Sequence, residues 1–146
     1  YEGSTPIAAV FCGDIRRPEL LDSLKIPYVS LGNITDADRL AQIYAHRDVV
    51  LSSSSFESLP STLIEGMAAG AVPVGFGGDG RDEIIDHLST GYLARRGDCA
   101  DMAAGIKWAI GAETSREILH KAAAARFDSV LIARRYIDLF NKILAK

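Results

Sequence analysis

Short apolar runs bounded by turn residues alternate along this chain with longer stretches of helical period. The runs IAAVFC (residues 7–12), YVSL (28–31), VVLS (49–52), VPVGF (72–76) and YLA (92–94) predict five strands. The first and third are apolar throughout, the pattern of strands covered on both faces. Between them PELLDSLK (18–25) and TDADRLAQIYAHRD (35–48) predict helices. In the second, Thr35 and Asp38 have the spacing of a capping box, and Leu40, Ile43 and Tyr44 form one apolar stripe. DCADMAAGIKWAI (98–110) predicts another helix, with Asp98 as cap and Met102, Ile106 and Ile110 facing one way. Two more helices are expected between Ser115 and Lys146, divided near 127–129, where Asp128 or Ser129 can cap the second.

Strands alternating with helices over short connections predict an α/β fold, a Rossmann-like doubly wound parallel sheet of about five strands with helices on both faces. Ligands of such sheets bind in the crevice outside the carboxyl ends of the strands. That rule directs attention to the residues just after Cys12, Leu31, Ser52 and Phe76.

Composition narrows the function classes. A length of 146 residues is that of a single domain, and 48% hydrophobic with 24% charged residues is ordinary for a soluble globular chain. The net charge of −3 gives no basic surface for nucleic acid. No apolar run approaches the roughly 20 residues of a bilayer span, and no signal-peptide pattern opens the chain. Cys12 and Cys99 are far apart and read as free cytosolic thiols. With no Cys/His cluster, no metal is expected. His46, His87 and His120 converge on no motif and read as surface or packing residues. The opening YEGSTP lacks a start methionine and falls almost at once into a strand, as a piece of a longer chain would.

The densest chemistry lies in SSSSFESLPSTLIEGMAAGAVPVGF (52–76). Pro60 fits the first position of a helix, where its missing N–H costs nothing. The amides of Ser61, Thr62 and Leu63 are then expected to be free at the positive end of the helix dipole, a site suited to a phosphate. Gly66, Ala68, Ala69 and Gly70 keep that helix slim enough to lie close to the sheet. Glu57 precedes it, and Glu65 lies more than a turn inside. A carboxylate is a poor phosphate ligand but a good acceptor for hydroxyls. Two of them flanking a phosphate cradle suit a diphosphate with hydroxyl groups on both sides, as in a sugar nucleotide. The plainer alternatives are a solvated Glu65 and a Glu57 that caps the turn.

The segment from Glu57 to Val74 resembles the E-x7-E motif of family 4 glycosyltransferases, retaining enzymes of the GT-B fold. LGNITDADRLAQIYAHRDVVLSSSSFES is similar to that family's lead-in to the motif. GGDGRDEIIDHLSTGYLARRGDCADMAAGIKWAI is similar to its Gly-Gly turn, short glutamate-bearing helix, Thr-Gly-Tyr-Leu strand and following helix. The resemblance covers residues 8–110. It implies that Glu57 contacts the donor sugar near the reacting carbon as the catalytic residue. It implies that amides across Ser58, Leu59, Pro60, Ser61 and Thr62 hold the diphosphate, Pro60 contributing no N–H, and that Glu65 takes the ribose hydroxyls. Gly32, Asn33 and Ile34 would border the base, and Gly13 would let backbone approach the ligand closely. Gly13 and Gly32 read equally well as turn glycines, and Asn33 as a loop cap. Gly77, Gly78, Asp79 and Gly80 form a turn, near the transferred sugar or merely local. Arg81 could approach a phosphate but reads more simply as solvated, the Arg95–Arg96 pair reads as a solvated turn, and Glu83 as a local cap.

The resemblance further implies a single donor domain (1–146), the C-terminal half of a GT-B protein. The N-terminal acceptor domain is absent, as is the donor domain's first strand and helix with its basic pair. Without that strand the remaining five could close up in the order 2-1-3-4-5. Gly66 replaces an alanine usual in the family. The last helix carries an apolar stripe of Tyr136, Ile137, Phe140 and Ile143, and in whole enzymes of the family this helix leans back toward the other domain.

The expected partners are a nucleotide-diphosphate sugar of UDP or GDP type and, through the absent domain, a saccharide acceptor, with no cofactor, no metal and no nucleic acid. The pathway implied is bacterial surface polysaccharide or lipopolysaccharide assembly, in the cytoplasm, with peripheral attachment at the inner face of the cell membrane as a further option. These residues alone are expected to bind donor weakly and to transfer nothing, because a departing diphosphate needs its charge stabilised. Two alternatives are a sugar-nucleotide epimerase of GT-B architecture, which would want histidines in the cleft, and a non-catalytic flavodoxin-like module, which would want an aspartate ending the third strand.

Overall fold

All five strands form within two residues of their expected places in the computed structural model, which describes residues 5–145. Residues 1–4, most of the opening motif, and Lys146 lie outside the described residues. The chain divides into two compact units that meet in sequence at Ile43 and Tyr44, and each is described by itself.

In the first unit β1 (Ala9–Phe11) and β2 (Tyr28–Ser30) pair in parallel, Ala9 opposite Tyr28 and Phe11 opposite Ser30. The rings of Phe11 and Tyr28 meet edge to face at 6.1 Å. The connection takes the tighter 3-10 form over Pro18–Ser23. With only six residues, and with Ile26 held out of the helical region by Pro27, the segment has no room for a full α-helix. Helix α1 (Ala37–Ala45) begins here. Its cap is not the expected Thr35: Asp36 Oδ1 accepts from the Arg39 amide at 2.8 Å. A carboxylate one residue nearer the helix displaces the hydroxyl.

The second unit holds β3 (Val49–Ser52), α2 (Ser61–Ala68), β4 (Val72–Phe76), β5 (Tyr92–Ala94), α3 (Cys99–Gly111), α4 (Arg116–Phe127) and α5 (Ser129–Leu144). Its strands are parallel in the order β3-β4-β5, with Val50 opposite Pro73, Ser52 opposite Gly75 and Val74 opposite Tyr92. Each set of pairings by itself matches a segment of the expected order.

Alternation along the strands puts Val50, Ser52, Pro73 and Gly75 on one face and Val72, Val74, Phe76 and Tyr92 on the other. A Cβ added to Gly66 would sit 2.6 Å from Val50 Cγ1, so α2 lies on the first face. One added to Gly105 would sit 2.5 Å from the Tyr92 ring, so α3 lies on the second. Sandwiched between them, β4 is buried at all five positions. The third strand departs from its expected cover: Leu51 is 47% exposed, because β3 is outermost in this set and α3 lies chiefly over β4 and β5.

The core is built on Leu63, Met67, Val74, Ile84, Ile85 and Leu119, each almost fully buried. Burial of a side chain of this size stabilises by about 1.5–3 kcal/mol. Caps fall where the sequence put them: Asp98 accepts from the Asp101 amide at 2.9 Å, and Asp128 from Val130 and Leu131 at 3.0 Å each. Helix α5 buries no residue, and Tyr136, Ile137, Phe140 and Ile143 are all more than half exposed. The stripe is therefore not spent on its own sheet.

Candidate functional site

Strand β3 ends at Ser52, and the chain crosses the strand ends through Ser53–Pro60 before α2 begins. Pro60 is the N-cap, not the first helical residue: its backbone is extended (φ −71°, ψ 107°) and the helix starts at Ser61. The Leu63 amide, expected free, donates to the Pro60 carbonyl at 3.1 Å. The first turn tightens because proline offers no side-chain oxygen to cap it.

Upstream amides take the place of Leu63. The Gly80 amide donates to the Glu57 carbonyl at 3.0 Å. The Ser58 carbonyl also faces Gly80, so closely that a Cβ there would lie 1.4 Å from its oxygen. In a trans peptide the N–H points opposite to the C=O. With both carbonyls turned toward Gly80, the amides of Ser58 and Leu59 point away from it. Four amides, those of Ser58, Leu59, Ser61 and Thr62, donate no hydrogen bond among the described residues. All four residues are exposed, and the last two head α2, where the helix dipole is positive.

The two glutamates bracket this row. Glu57 is half-buried and Glu65 exposed, and neither carboxylate makes a hydrogen bond or ion pair with the described residues. Ser61 and Glu65, one turn apart on the same helix face, open onto a cleft of about 680 Å³ whose other walls include Leu59, Ile64, Phe127 and Tyr136.

Beneath the loop lies a feature the sequence reading missed. Arg81, expected in solvent, is fully buried. Its Nε and its amide donate to Asp79 Oδ1 at 2.9 and 3.1 Å, and its guanidinium meets Asp79 Oδ2 at 2.5 Å. The remaining guanidinium nitrogen donates to the carbonyls of Ser54 at 2.9 Å and Ser52 at 3.3 Å. Gly75 makes the room, since a Cβ there would lie 2.8 Å from Arg81 Cδ. The Asp79 carboxyl is held down to about 2, first by its hydrogen bonds to the Arg81 side chain. Asp79 Oδ2 also accepts from the Glu57 amide at 3.0 Å.

Arg96, exposed as expected, nonetheless donates to the Gly78 carbonyl at 2.6 Å, stands 3.6 Å from Asp79 and lies over the Phe56 ring at 5.9 Å. Asp79 caps the short 3-10 turn Gly80–Glu83, and not Glu83, while Asp82 accepts from the Gly78 amide at 2.9 and 3.1 Å.

In the first unit, Gly13 and Gly32 come together: the Gly13 amide donates to the Gly32 carbonyl at 2.7 Å. Both have positive φ (101° and 63°), as turn glycines do, and both line a cleft of about 600 Å³ with Asp14, Tyr28 and Ser30. Asn33 is exposed and Ile34 half-buried in the stretch that follows. The structure thus gathers Gly13 and Gly32 in one unit, and Glu57, Ser58, Leu59, Pro60, Ser61, Thr62 and Glu65 in the other. Cys12 and Cys99 are both free and exposed. Among the described residues no three His, Cys, Asp or Glu side chains gather as a metal site, and no helix is long and apolar enough to cross a membrane.

The model of one family, glycosyl transferases group 1, matches residues 23–126, which carry both glutamates, the four amides and the Asp79–Arg81 pair. The chain belongs to this family. It is 32% identical over 118 residues to the sulfoquinovosyl transferase of Arabidopsis thaliana, covering 77% of this chain and 23% of that protein. It is 31% identical over 111 residues to N-acetyl-alpha-D-glucosaminyl L-malate synthase of Bacillus anthracis, covering 73% and 29%. This group 1 chain thus spans less than a third of either relative. Among solved structures it is similar to sucrose-phosphate synthase from Thermosynechococcus elongatus (TM-score 0.80, 24% identity, 94% of this chain and 38% of that one). It is also similar to Anabaena HepE in complex with UDP (TM-score 0.76, 22% identity, 93% and 41%). The fold is that of a GT-B glycosyltransferase domain. The family match favours the glycosyltransferase reading over the epimerase and flavodoxin-like alternatives.

Proposed function

We propose that this chain is the donor-binding half of a retaining glycosyltransferase and takes a nucleotide-diphosphate sugar across the start of α2. The amides of Ser58, Leu59, Ser61 and Thr62 receive the diphosphate oxygens. Fixed donors at a helix start stabilise the charge that builds on the diphosphate as the sugar departs, without reorganising during the step. Glu65 accepts the ribose hydroxyls. Glu57 faces the sugar, accepts one of its hydroxyls and stabilises positive charge developing at the reacting carbon.

A metal is not needed in this scheme. The observation that carries the reading is a row of four unpartnered amides between two unengaged carboxylates. The likeness in fold to a protein solved with UDP and glucose supports a UDP-type donor, with GDP as the second choice. The saccharide acceptor binds outside these residues, which alone bind donor weakly and do not turn over. The setting that suits such an enzyme is polysaccharide or lipopolysaccharide assembly at the cytoplasmic face of a bacterial membrane.

The test is a binding screen of UDP-, GDP- and ADP-sugars against the intact protein. One of them should bind, and Glu57→Ala and Glu65→Ala should each weaken it at least tenfold. Binding of none, or binding indifferent to both substitutions, would refute the reading.

A further inference from the structure

The buried Asp79–Arg81 pair lies outside the ligand row yet touches it at one point, the backbone of Glu57. Burying two charges is costly unless the geometry is excellent, and such a pair is poor evidence of stability for its own sake. Here each of the three Arg81 guanidinium nitrogens is committed, to Asp79 below and to the Ser52 and Ser54 carbonyls at the end of β3. Asp79 in turn holds the Glu57 amide at 3.0 Å, while the next residue, Gly80, holds the Glu57 carbonyl at 3.0 Å. Both polar groups of the Glu57 backbone are thus fixed by one turn, and Arg96 closes that turn from outside through Gly78 and Phe56.

We propose that Asp79 is a positioning residue for Glu57, locked in place by Arg81 from within and Arg96 from without. Its task is to aim the Glu57 carboxylate at the donor sugar. This rests on the donor-site reading above. It goes further in assigning a function to a turn 22 residues away in sequence.

The experiment compares UDP with UDP-glucose, or the pair that the screen identifies, on the intact protein. Glu57→Gln should remove most of the affinity that the sugar adds to the nucleotide. Asp79→Asn should remove that same increment, by fivefold or more, and lower kcat for transfer while the affinity for the nucleoside diphosphate changes less than threefold. A merely structural role would weaken both ligands together and leave the increment intact. Arg96→Gln, which spares the buried pair, should show a smaller loss of the same increment and keeps the question answerable if Asp79→Asn does not fold. An increment that survives in the Asp79 and Arg96 variants but not in Glu57→Gln overturns this inference alone. An increment that survives Glu57→Gln overturns the donor-site reading and this inference with it.

Discussion

Replacing Gly80 with alanine probes the arrangement of the loop Ser53–Pro60 without touching a charge. The new Cβ would lie 1.4 Å from the Ser58 oxygen, 2.2 Å from its carbon and 3.0 Å from the Leu59 nitrogen, all backbone atoms that no rotamer change can move. Reaching an ordinary contact of 3.4 Å demands that the two segments separate by about 2 Å. A shift of that size breaks the 3.0 Å bond from the Gly80 amide to the Glu57 carbonyl and strains the 3.0 Å bond from the Glu57 amide to Asp79. One neutral and one charge-assisted hydrogen bond together make a loss of about 2–4 kcal/mol. At roughly 2–4 °C per kcal/mol for a chain of this size, melting should fall by about 4–16 °C. Donor affinity should fall as well, because the Ser58 and Leu59 amides turn outward only while their neighbouring carbonyls face Gly80. Differential scanning calorimetry and nucleotide titration of the intact protein read both effects. Gly111→Ala is the control, a helical glycine with nothing within 4 Å of the added carbon. A Gly80→Ala protein that melts within a degree of wild type and binds donor normally would refute the reasoning.

Gly66→Ala sets helix preference against packing. Alanine gains about 1 kcal/mol in a helix, but its Cβ would meet the stiff, branched Val50 side chain at 2.6–2.9 Å. Overpacking of about 1–3 kcal/mol wins, so the variant should be less stable by about 1 kcal/mol in denaturant unfolding, and the clash should disappear in a Val50→Ala background. The Asp79 carboxyl, side chain fully buried, falls from 3.8 unfolded to about 2 folded. The folded state therefore binds fewer protons, and the contribution of about 2 kcal/mol is complete above pH 4 and is lost as pH falls toward 2. The wild type minus Asp79→Asn difference in unfolding free energy should shrink over that window, and a difference flat from pH 5 to 2 would contradict it. Glu65→Gln should weaken the nucleoside diphosphate and the nucleotide sugar alike, by roughly 10–100-fold for hydrogen bonds to a charged group, as titration calorimetry would show.

What the sequence disclosed and what it hid divide along a physical line. The strands were legible because continuous apolar runs such as VVLS and VPVGF have few other places to go, and Asp98 and Asp128 announced their helices by local capping. Glu57 and Glu65 were legible as a pair because their spacing lies within one loop and one helix. Arg81 was misread because its partners lie elsewhere in the chain: it meets Ser52 and Ser54 only once β3 and β4 stand side by side, and it fits only because Gly75 leaves a gap. The free Ser58 and Leu59 amides were expected only through the family resemblance and not from the local residues, since their outward turn depends on Gly80, brought up from beyond β4. Thr35 and Pro60 were near misses of one residue: Asp36 caps α1 in place of Thr35, and Pro60 stands just before α2 and not at its first position.

The most direct measurement is a crystal structure of the intact protein with its nucleotide sugar bound. The diphosphate oxygens should lie about 3 Å from the amides of Ser58, Leu59, Ser61 and Thr62, with ribose hydroxyls on Glu65 and the sugar beside Glu57. A diphosphate seated away from the start of α2, or either glutamate turned from the ligand, would contradict the proposed site.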